Sequence, residues 1–234
     1  MEPAEYDLMD QAEGAMWWYR ALHARLRARL AAIDGPILDA GCGTGGLLAR
    51  LGGGDLFGVE YAEDAARRAT AKSAARVSRG TVNALPYADK SFAALVSADV
   101  LCHAAVDPPT ALAEFHRVLR PGGLLVVNLP SYQWLASAHD RRVHNARRST
   151  AGGVRADLAA AGFSDIRVRY WNFLLLPLMV VQRKLLASAD DAASDVAAFP
   201  PWLDAMLFAV TELERALSCP WPAGGSILAT AVRS

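Results

Sequence analysis

Short apolar runs alternate with amphipathic stretches between residues 35 and 130. The runs are PILDA at 36–40, DLFGVE at 55–60, a weaker run near 76–82, AALVSAD at 93–99 and LLVVNLP at 124–130. The stretches between them place apolar residues at helical spacing, as in Leu112, Phe115 and Leu119 behind the DPP helix start at 107–109. Strands that alternate with helices form a mostly parallel sheet with helices on both faces, so the pattern predicts an α/β fold.

The segments on either side of this alternation are less regular. Residues 5–33 carry leucines at helical spacing with arginines between them, which predicts one long helix that ends at Gly35-Pro36. After residue 131 the chain becomes polar and then apolar before a last strand. The predicted organisation is an N-terminal helical cap at 1–34 and one domain at 35–234, with a loop at 131–155, a helical insertion at 173–218 and the last strand at 226–233.

Composition and charge exclude several classes of protein. The chain has 234 residues, of which 53% are hydrophobic, and this is too much apolar material for a disordered chain. It carries 24 basic and 24 acidic residues, so it lacks the positive charge of a general nucleic-acid binder. The net charge of zero is the sum of separated regions, since the first thirteen residues contain acidic and no basic residues and the segment at 137–150 is rich in arginine. A local anion site therefore stays open.

Cysteine usage, the acidic N-terminus and the short length of the apolar runs indicate a cytoplasmic protein. Cys42, Cys102 and Cys219 are an odd number at wide spacing, which favours neither a disulfide framework nor a structural zinc site. The acidic N-terminus is unlike the basic start of a signal peptide. The longest apolar run, 173–181, has nine residues and contains Pro177, so it is too short to cross a membrane.

A glycine-rich segment, LDAGCGTGG at 38–46, carries the clearest chemical signal. Glycines between a strand and a helix let a ligand approach the backbone and the free N–H groups at the helix start. Gly41, Gly43 and Gly46 also satisfy the dinucleotide pattern G-x-G-x-x-G. However, Asp39 would oppose a pyrophosphate and could pair with an ammonium, and Glu60 could accept hydrogen bonds from both ribose hydroxyls. Two carboxylates in these places favour S-adenosylmethionine over NAD.

Together these segments resemble the class I S-adenosylmethionine-dependent methyltransferases, and among them the ubiquinone/menaquinone-biosynthesis type. The resemblance covers about residues 35–130 and rests on LDAGCGTGG, GVE, ALPYADKSF and EFHRVLRPGGLLVVNLP, in family order and spacing. It implies a Rossmann-like sheet of seven strands whose last strand, 226–233, runs antiparallel to the others. It also implies S-adenosyl-L-methionine as cofactor and S-adenosyl-L-homocysteine as product.

The resemblance also implies roles for individual residues of the cofactor site. Asp39, Gly41 and Gly43 would hold the methionine end, with Cys42 as a small residue in the same loop, while Glu60 would bind the ribose and Tyr61 would cover the adenine. The family commonly has an acidic residue after the third strand, and this chain has Thr81 at that place. Adenine recognition would then involve the Val82 N–H and the side chain of Thr81 or Asn83.

Residues after the fourth strand are expected to face both ligands, because ligands bind at the carboxyl edge of such a sheet. These residues are Ser97 to His103, and Ser97 is expected to contact the cofactor. Methyl transfer to a hydroxyl or an acidic carbon needs a base, and Asp99 and His103 are the candidates. The alternative for each is an orienting or structural polar group.

Three further segments bear on the methyl acceptor. His139, His144, Arg147 and Arg148 lie in the Arg-rich segment at 137–150, which would suit an anionic acceptor or, alternatively, a solvated basic face that pairs with the acidic N-terminus. Trp18 and Tyr19 of the cap could close the site. The apolar run at 173–181 could wall a hydrophobic pocket or rest on a membrane surface, or it could form a subunit interface or a core helix.

The sequence therefore predicts a methyltransferase that acts on a small, anionic and partly apolar acceptor, with O- or C-methylation favoured. It predicts no metal site, because the spacing of His139, Asp140 and His144 matches no standard site. A monomer or homodimer is expected, with no nucleic-acid partner and no transmembrane segment, although peripheral membrane contact stays open. The alternatives are a catalytically silent binding or assembly subunit and, less favoured, an NAD-dependent oxidoreductase.

Overall fold

A computed structural model describes residues 3–183, 199–217 and 219–234. These residues form a seven-stranded sheet with the strand order β3-β2-β1-β4-β5-β7-β6. β7 pairs antiparallel with both of its neighbours, and the pairings among β1 to β5 are parallel. The predicted fold class and the antiparallel last strand are thereby confirmed. The strands are β1 Ile37–Ala40, β2 Leu56–Glu60, β3 Arg76–Arg79, β4 Phe92–Ala98, β5 Leu119–Pro130, β6 Phe163–Trp171 and β7 Ser226–Arg233.

Helices pack on both faces of this sheet and at its carboxyl edge. The helices of the described residues are α1 Pro3–Ala12, α2 Trp17–Leu30, α3 Gly46–Leu51, α4 Glu63–Lys72, α5 Pro108–Val118, α6 Ala138–Arg142, α7 Ala151–Ala160, α8 Leu176–Val181 and α9 Pro201–Leu217. Parts of the predicted cap and insertion, residues 1–2, 184–198 and 218, lie outside the described residues.

α5 shows how the local sequence sets an element. The Asp107 carboxylate accepts a hydrogen bond from the Thr110 N–H at 3.1 Å, and prolines occupy the first helical positions. Its apolar side turns Leu112 and Phe115 into the core on one face of the sheet. The predicted helix start is therefore confirmed.

The predicted single helix over 5–33 is wrong, since the chain turns between α1 and α2 at residues 13–16. Gly14 weakens a helix at this place, and the carboxylate of the preceding Glu13 accepts a hydrogen bond from the Thr44 hydroxyl at 2.8 Å. The turn folds α1 back across the glycine loop. Ion pairs from its acidic residues to Arg68 and Lys72 of α4 hold it there.

The insertion packs along α2 and so completes the carboxyl edge of the sheet. Asp204 of α9 accepts hydrogen bonds from the Trp17 N–H at 2.6 Å and from Arg20 at 3.1 Å. Trp17 packs with Leu175 and Leu207 in a small apolar cluster of its own. In the ranges that the structure describes, no helix is long and apolar enough to cross a membrane.

Candidate functional site

The loops at the carboxyl ends of β1, β2 and β4 open into a cavity of about 690 Å³. α1 and α2 cover it from one side, and residues of the insertion close its far end. Five carboxyl groups line it, from Glu5, Glu13, Asp39, Glu60 and Asp99. A cavity of this size is large enough for a cofactor together with a small second ligand.

The glycine loop forms one wall of the cavity and allows close approach to its backbone. Gly41 and Gly43 have positive φ angles of 87° and 54°. A Cβ at Gly41 would collide with Val100, and a Cβ at Gly43 would lie 2.8 Å from the Met9 Cε. Both positions therefore require glycine, and Cys42 between them is buried and lines the same wall.

Asp39 lies in this wall as a buried carboxyl group that makes no hydrogen bond among the described residues. Asp39 is only 3% exposed. Burial, together with the nearby carboxylates of Glu13 and Glu60, raises the pKa of Asp39 to about 8. A ligand that brings a positive charge or hydrogen-bond donors to Asp39 would relieve this cost.

Glu60 ends β2 on the opposite side of the glycine loop. Its two oxygens accept hydrogen bonds from the Gly43 N–H at 3.0 Å, from the Ala62 N–H at 2.9 Å and from the Tyr6 hydroxyl at 3.2 Å. The carboxylate is thus fixed in place while it still faces the cavity, and Tyr61 next to it is 74% exposed at the rim.

The third-strand loop contributes fewer residues than the sequence predicts. Thr81 and Val82 line the cavity, whereas Asn83 does not. The Asn83 side chain donates to the Ala105 carbonyl at 3.0 Å and accepts from the Asp107 N–H at 3.1 Å, so it ties two loops together.

Ser97 is also outside the cavity lining. It is fully buried within β4, and its hydroxyl donates to the Ala40 carbonyl of β1 at 3.2 Å. Successive side chains of β4 point to opposite faces of the sheet, and the Ser97 hydroxyl contacts the neighbouring strand β1. Ser97 is therefore a structural contact between strands.

Asp99 and His103, the candidate bases, both line the cavity. Asp99 has a positive φ of 55°, and its Oδ1 accepts a hydrogen bond from the Asn128 side chain at 3.0 Å. The Asn128 side chain itself accepts a hydrogen bond from the Trp171 indole at 2.9 Å. Burial raises the pKa of Asp99 to about 7 and lowers the pKa of His103. Near neutral pH the imidazole is consequently uncharged, which is the form that can accept a proton.

The arginines of the 137–150 segment are engaged within the protein. Arg147 does not line the cavity, because its guanidinium donates to the carbonyls of Leu101, His103 and Val106 at 2.9–3.0 Å. Arg148 lines the cavity but forms a bidentate pair with Asp140 at 3.0 and 2.9 Å, and both side chains are 5% exposed. Of the two arginines expected to bind an anionic acceptor, Arg147 thus lies outside the cavity lining and Arg148 is paired with Asp140.

The neighbouring residues of this segment have different positions. His139 and His144 do line the cavity, as predicted. The alternative of a basic face paired with the acidic N-terminus is realised at Arg142, whose guanidinium lies 3.2 Å from the Glu5 carboxylate. The described residues contain no group of three or more His, Cys, Asp or Glu side chains placed to hold a metal ion.

The cap and the insertion contribute lining residues, some of which sequence reasoning missed. Trp18 and Tyr19 line the cavity as predicted, and Met179 and Phe199 of the insertion join them. Among the lining side chains that the sequence did not mark are Tyr6, Glu13, His23 and Asn172. Asn172 directly follows β6, and that placement at a strand end was the available signal; nothing local marks the others.

A family comparison bears on this geometry. Residues 38–127 match the model of a methyltransferase domain. The central part of the chain is therefore similar to methyltransferase domains. The match covers the glycine loop, the Glu60 strand and the Asp99 strand, and it is to the methyltransferase domain in general, with no preference for the ubiquinone/menaquinone type.

Known proteins with this domain are similar over part of the chain. An O-methyltransferase of Penicillium expansum is 34% identical over 39% of this chain and 36% of its own length. A methyltransferase of Bacillus subtilis is 34% identical over 40% of this chain and 42% of its own length. The chain spans between 31% and 61% of the length of the curated relatives that it matches.

Solved structures share the fold over nearly the whole chain. A methyltransferase of Thermotoga maritima has a TM-score of 0.64 at 17% identity and covers 98% of this chain and 99% of its own. The geranyl diphosphate C-methyltransferase of Streptomyces coelicolor has a TM-score of 0.61 at 15% identity and covers 92% and 78%. The described parts of the cap and of the insertion therefore lie within the region over which the fold is shared.

Proposed function

We propose that this chain is an S-adenosylmethionine-dependent methyltransferase that acts on a small, partly apolar and neutral acceptor. The observation that carries the proposal is the placement of Asp39 and Glu60, two buried carboxyl groups on either side of a glycine loop, in one cavity. Asp39 would bind the ammonium of the methionine moiety, and the Glu60 carboxylate would accept hydrogen bonds from the ribose hydroxyls. When bound, the cofactor supplies a methyl group on a sulfonium sulfur.

The residues of the chain would align the acceptor, exclude water and take up a proton. Transfer from a sulfonium is an in-line displacement, so alignment contributes most of what the protein provides. His103 in its neutral form, or Asp99 when ionised, would remove the proton of a hydroxyl or an acidic carbon. This supports O- or C-methylation, and an O-methyltransferase and a C-methyltransferase are among the similar proteins.

The charges of the cavity favour a neutral acceptor over the anionic one expected from the sequence. Carboxyl groups outnumber the lining arginines, which are Arg148 and Arg183. Arg148 is paired with Asp140, and Arg183 donates to the Leu135 carbonyl at 2.9 Å. An anion would therefore have to displace an internal partner or approach carboxylates, and both cost free energy.

Binding of S-adenosylhomocysteine to a Glu60→Gln variant tests the cofactor site. We expect isothermal titration calorimetry to show a loss of at least about tenfold in affinity, because a ribose hydroxyl loses a charged partner. Glu63→Gln is the matched control, since Glu63 lies one turn further on at the surface and pairs with Arg67 and Arg79. Equal affinity in wild type and Glu60→Gln would contradict the proposed role.

Two outcomes would support the alternatives. Thermal stabilisation by NADH and not by S-adenosylhomocysteine would indicate an oxidoreductase. Tight cofactor binding without release of S-adenosylhomocysteine in the presence of a broad panel of phenols, amides and acidic carbon compounds would indicate a silent binding subunit.

A further inference from the structure

Within the described ranges, three buried side-chain atoms that make no hydrogen bond belong to residues lining the cavity. They are the Trp17 indole Nε1, the His23 Nδ1 and the Asn172 Oδ1. A buried polar atom without a partner destabilises the folded chain, so such atoms are rare unless a ligand binds them. His23 lies next to α3, where burial and the charge of Arg50 lower its pKa to about 4. Trp17 and Asn172 lie at the insertion end.

Asn172 is held in its position by a dedicated contact. It has a positive φ of 63° and is 1% exposed. The buried carboxylate of Glu214 in α9 accepts hydrogen bonds from the N–H groups of Asn172 at 2.6 Å, Phe173 at 2.7 Å and Leu174 at 3.0 Å. This three-fold contact fixes the turn after β6, so the carboxamide has a defined place at the cavity wall.

The partner on the other side of the carboxamide is weak and movable. The Asn172 Nδ2 lies 3.5 Å from the Met179 sulfur, and Met179 also lines the cavity. A thioether is a poor acceptor, and the unbranched methionine side chain changes conformation easily. A ligand that displaces Met179 would gain access to the carboxamide.

The strand order places this end of the cavity away from the cofactor loops. β6 stands three strands from β4 in the sheet, which corresponds to about 14 Å, and four strands from β1, about 19 Å. Asn172 is thus remote from the glycine loop and also from Asp99 at the end of β4. The rings of Trp18 and Trp171 stack at 6.3 Å between these regions.

We infer that Asn172 and Trp17 form a polar anchor for the non-reacting end of an elongated, neutral acceptor. The Asn172 oxygen accepts a hydrogen bond from the acceptor and the Trp17 indole donates one, so the bound group carries both a donor and an acceptor, as a carboxamide does. Glu214 is a positioning residue for this anchor. The inference rests on the proposed methyltransferase function, which supplies the other end of the cavity with a cofactor.

Saturation-transfer NMR on the S-adenosylhomocysteine-loaded full chain tests the anchor with three probes of one shape. Benzamide offers a donor and an acceptor, benzoate is the anion, and benzylamine is the cation. We expect benzamide to bind in about the millimolar range for a fragment of this size and more tightly than the other two. Tighter binding of benzoate, or no binding of benzamide, would overturn the inference.

Two variants locate the probe. Asn172→Gly removes the carboxamide while tolerating the positive φ, and Trp17→Phe removes the indole N–H while keeping a ring. Each should weaken benzamide binding about three- to tenfold, the effect of one lost hydrogen bond. Trp202→Phe is the matched control, because Trp202 is 69% exposed and outside the cavity lining.

The affinity for S-adenosylhomocysteine separates the two levels of the inference. It should be unchanged in both variants, since Asn172 follows β6, four strands from β1, and Trp17 packs with Leu175 and Leu207 of the insertion. If the wild type does not bind S-adenosylhomocysteine, the proposed function is refuted. If cofactor binding is intact and both variants bind benzamide as tightly as the wild type does, only the anchor is refuted. Thermal melts of the variants show whether each one is folded, and either variant by itself suffices for the comparison.

Discussion

Replacing Asp39 by asparagine should stabilise the ligand-free protein at alkaline pH. Asp39 is buried without a hydrogen-bond partner among the described residues, and burial raises its pKa to about 8. In the unfolded chain the same carboxyl group titrates near 4. Between these values the folded state therefore holds a proton that the unfolded state has lost. Stability from this group falls as the pH rises, because the folded state binds more protons.

The size of the effect follows from the two pKa values. A group that moves from about 4 to about 8 loses roughly 2 kcal/mol of stability between pH 6 and pH 8, and the loss levels off above pH 8. Asparagine has nearly the same shape and no titration, so the Asp39→Asn protein lacks this slope. The difference in unfolding free energy between variant and wild type should then increase by about this amount over the same range.

Urea denaturation monitored by circular dichroism at pH 6, 7 and 8 measures the difference. Asp34→Asn is the matched control, since Asp34 is an exposed aspartate shortly before β1 and should show no pH-dependent difference. A difference between Asp39→Asn and wild type that stays constant from pH 6 to 8 would refute the reasoning. The same variant should bind S-adenosylhomocysteine less tightly, so its added stability would come with a loss of the proposed function.

Three further substitutions test contacts of the fold. Glu214→Ala should lower the unfolding free energy by about 3 kcal/mol or more in urea titrations, because three N–H groups lose a buried charged acceptor. Glu212→Ala on the same helix is the control and should cost less than about 1 kcal/mol. Equal effects of the two substitutions would contradict the Glu214 contact. Arg147→Ala should reduce the melting temperature, because three carbonyl groups of the loop that carries His103 lose their common donor; a variant as stable as the wild type would argue against that role. Phe115→Ala, at a fully buried position, should cost about 3–5 kcal/mol in the same titration, and a cost below about 1 kcal/mol would be inconsistent with the described core.

The central alternation of strands and helices was predictable because its signals are local. A run such as 93–99 reads as a buried strand by itself, and the cap at Asp107 depends only on the residues that follow it. The glycine loop was recognisable for the same reason, since Gly41 and Gly43 are needed by the backbone conformation that the turn imposes. Local pattern therefore specified the elements of this central region and the position of the glycine loop.

The acceptor half depends on which distant groups meet, and the sequence does not contain that information in local form. Arg147 and Arg148 have the composition of an anion site, but Asp140 and the carbonyls of the 101–106 loop neutralise or occupy them in the folded chain. Similarly, the Glu13 side chain pairs with Thr44, thirty-one residues away, at the glycine loop. The sequence by itself determined the class of fold and the carboxylates beside the glycine loop, because short-range periodicity and turn chemistry encode them. Only the tertiary structure decided which polar groups stay unpaired at the cavity wall, because a hydrogen bond between remote segments depends on their packing.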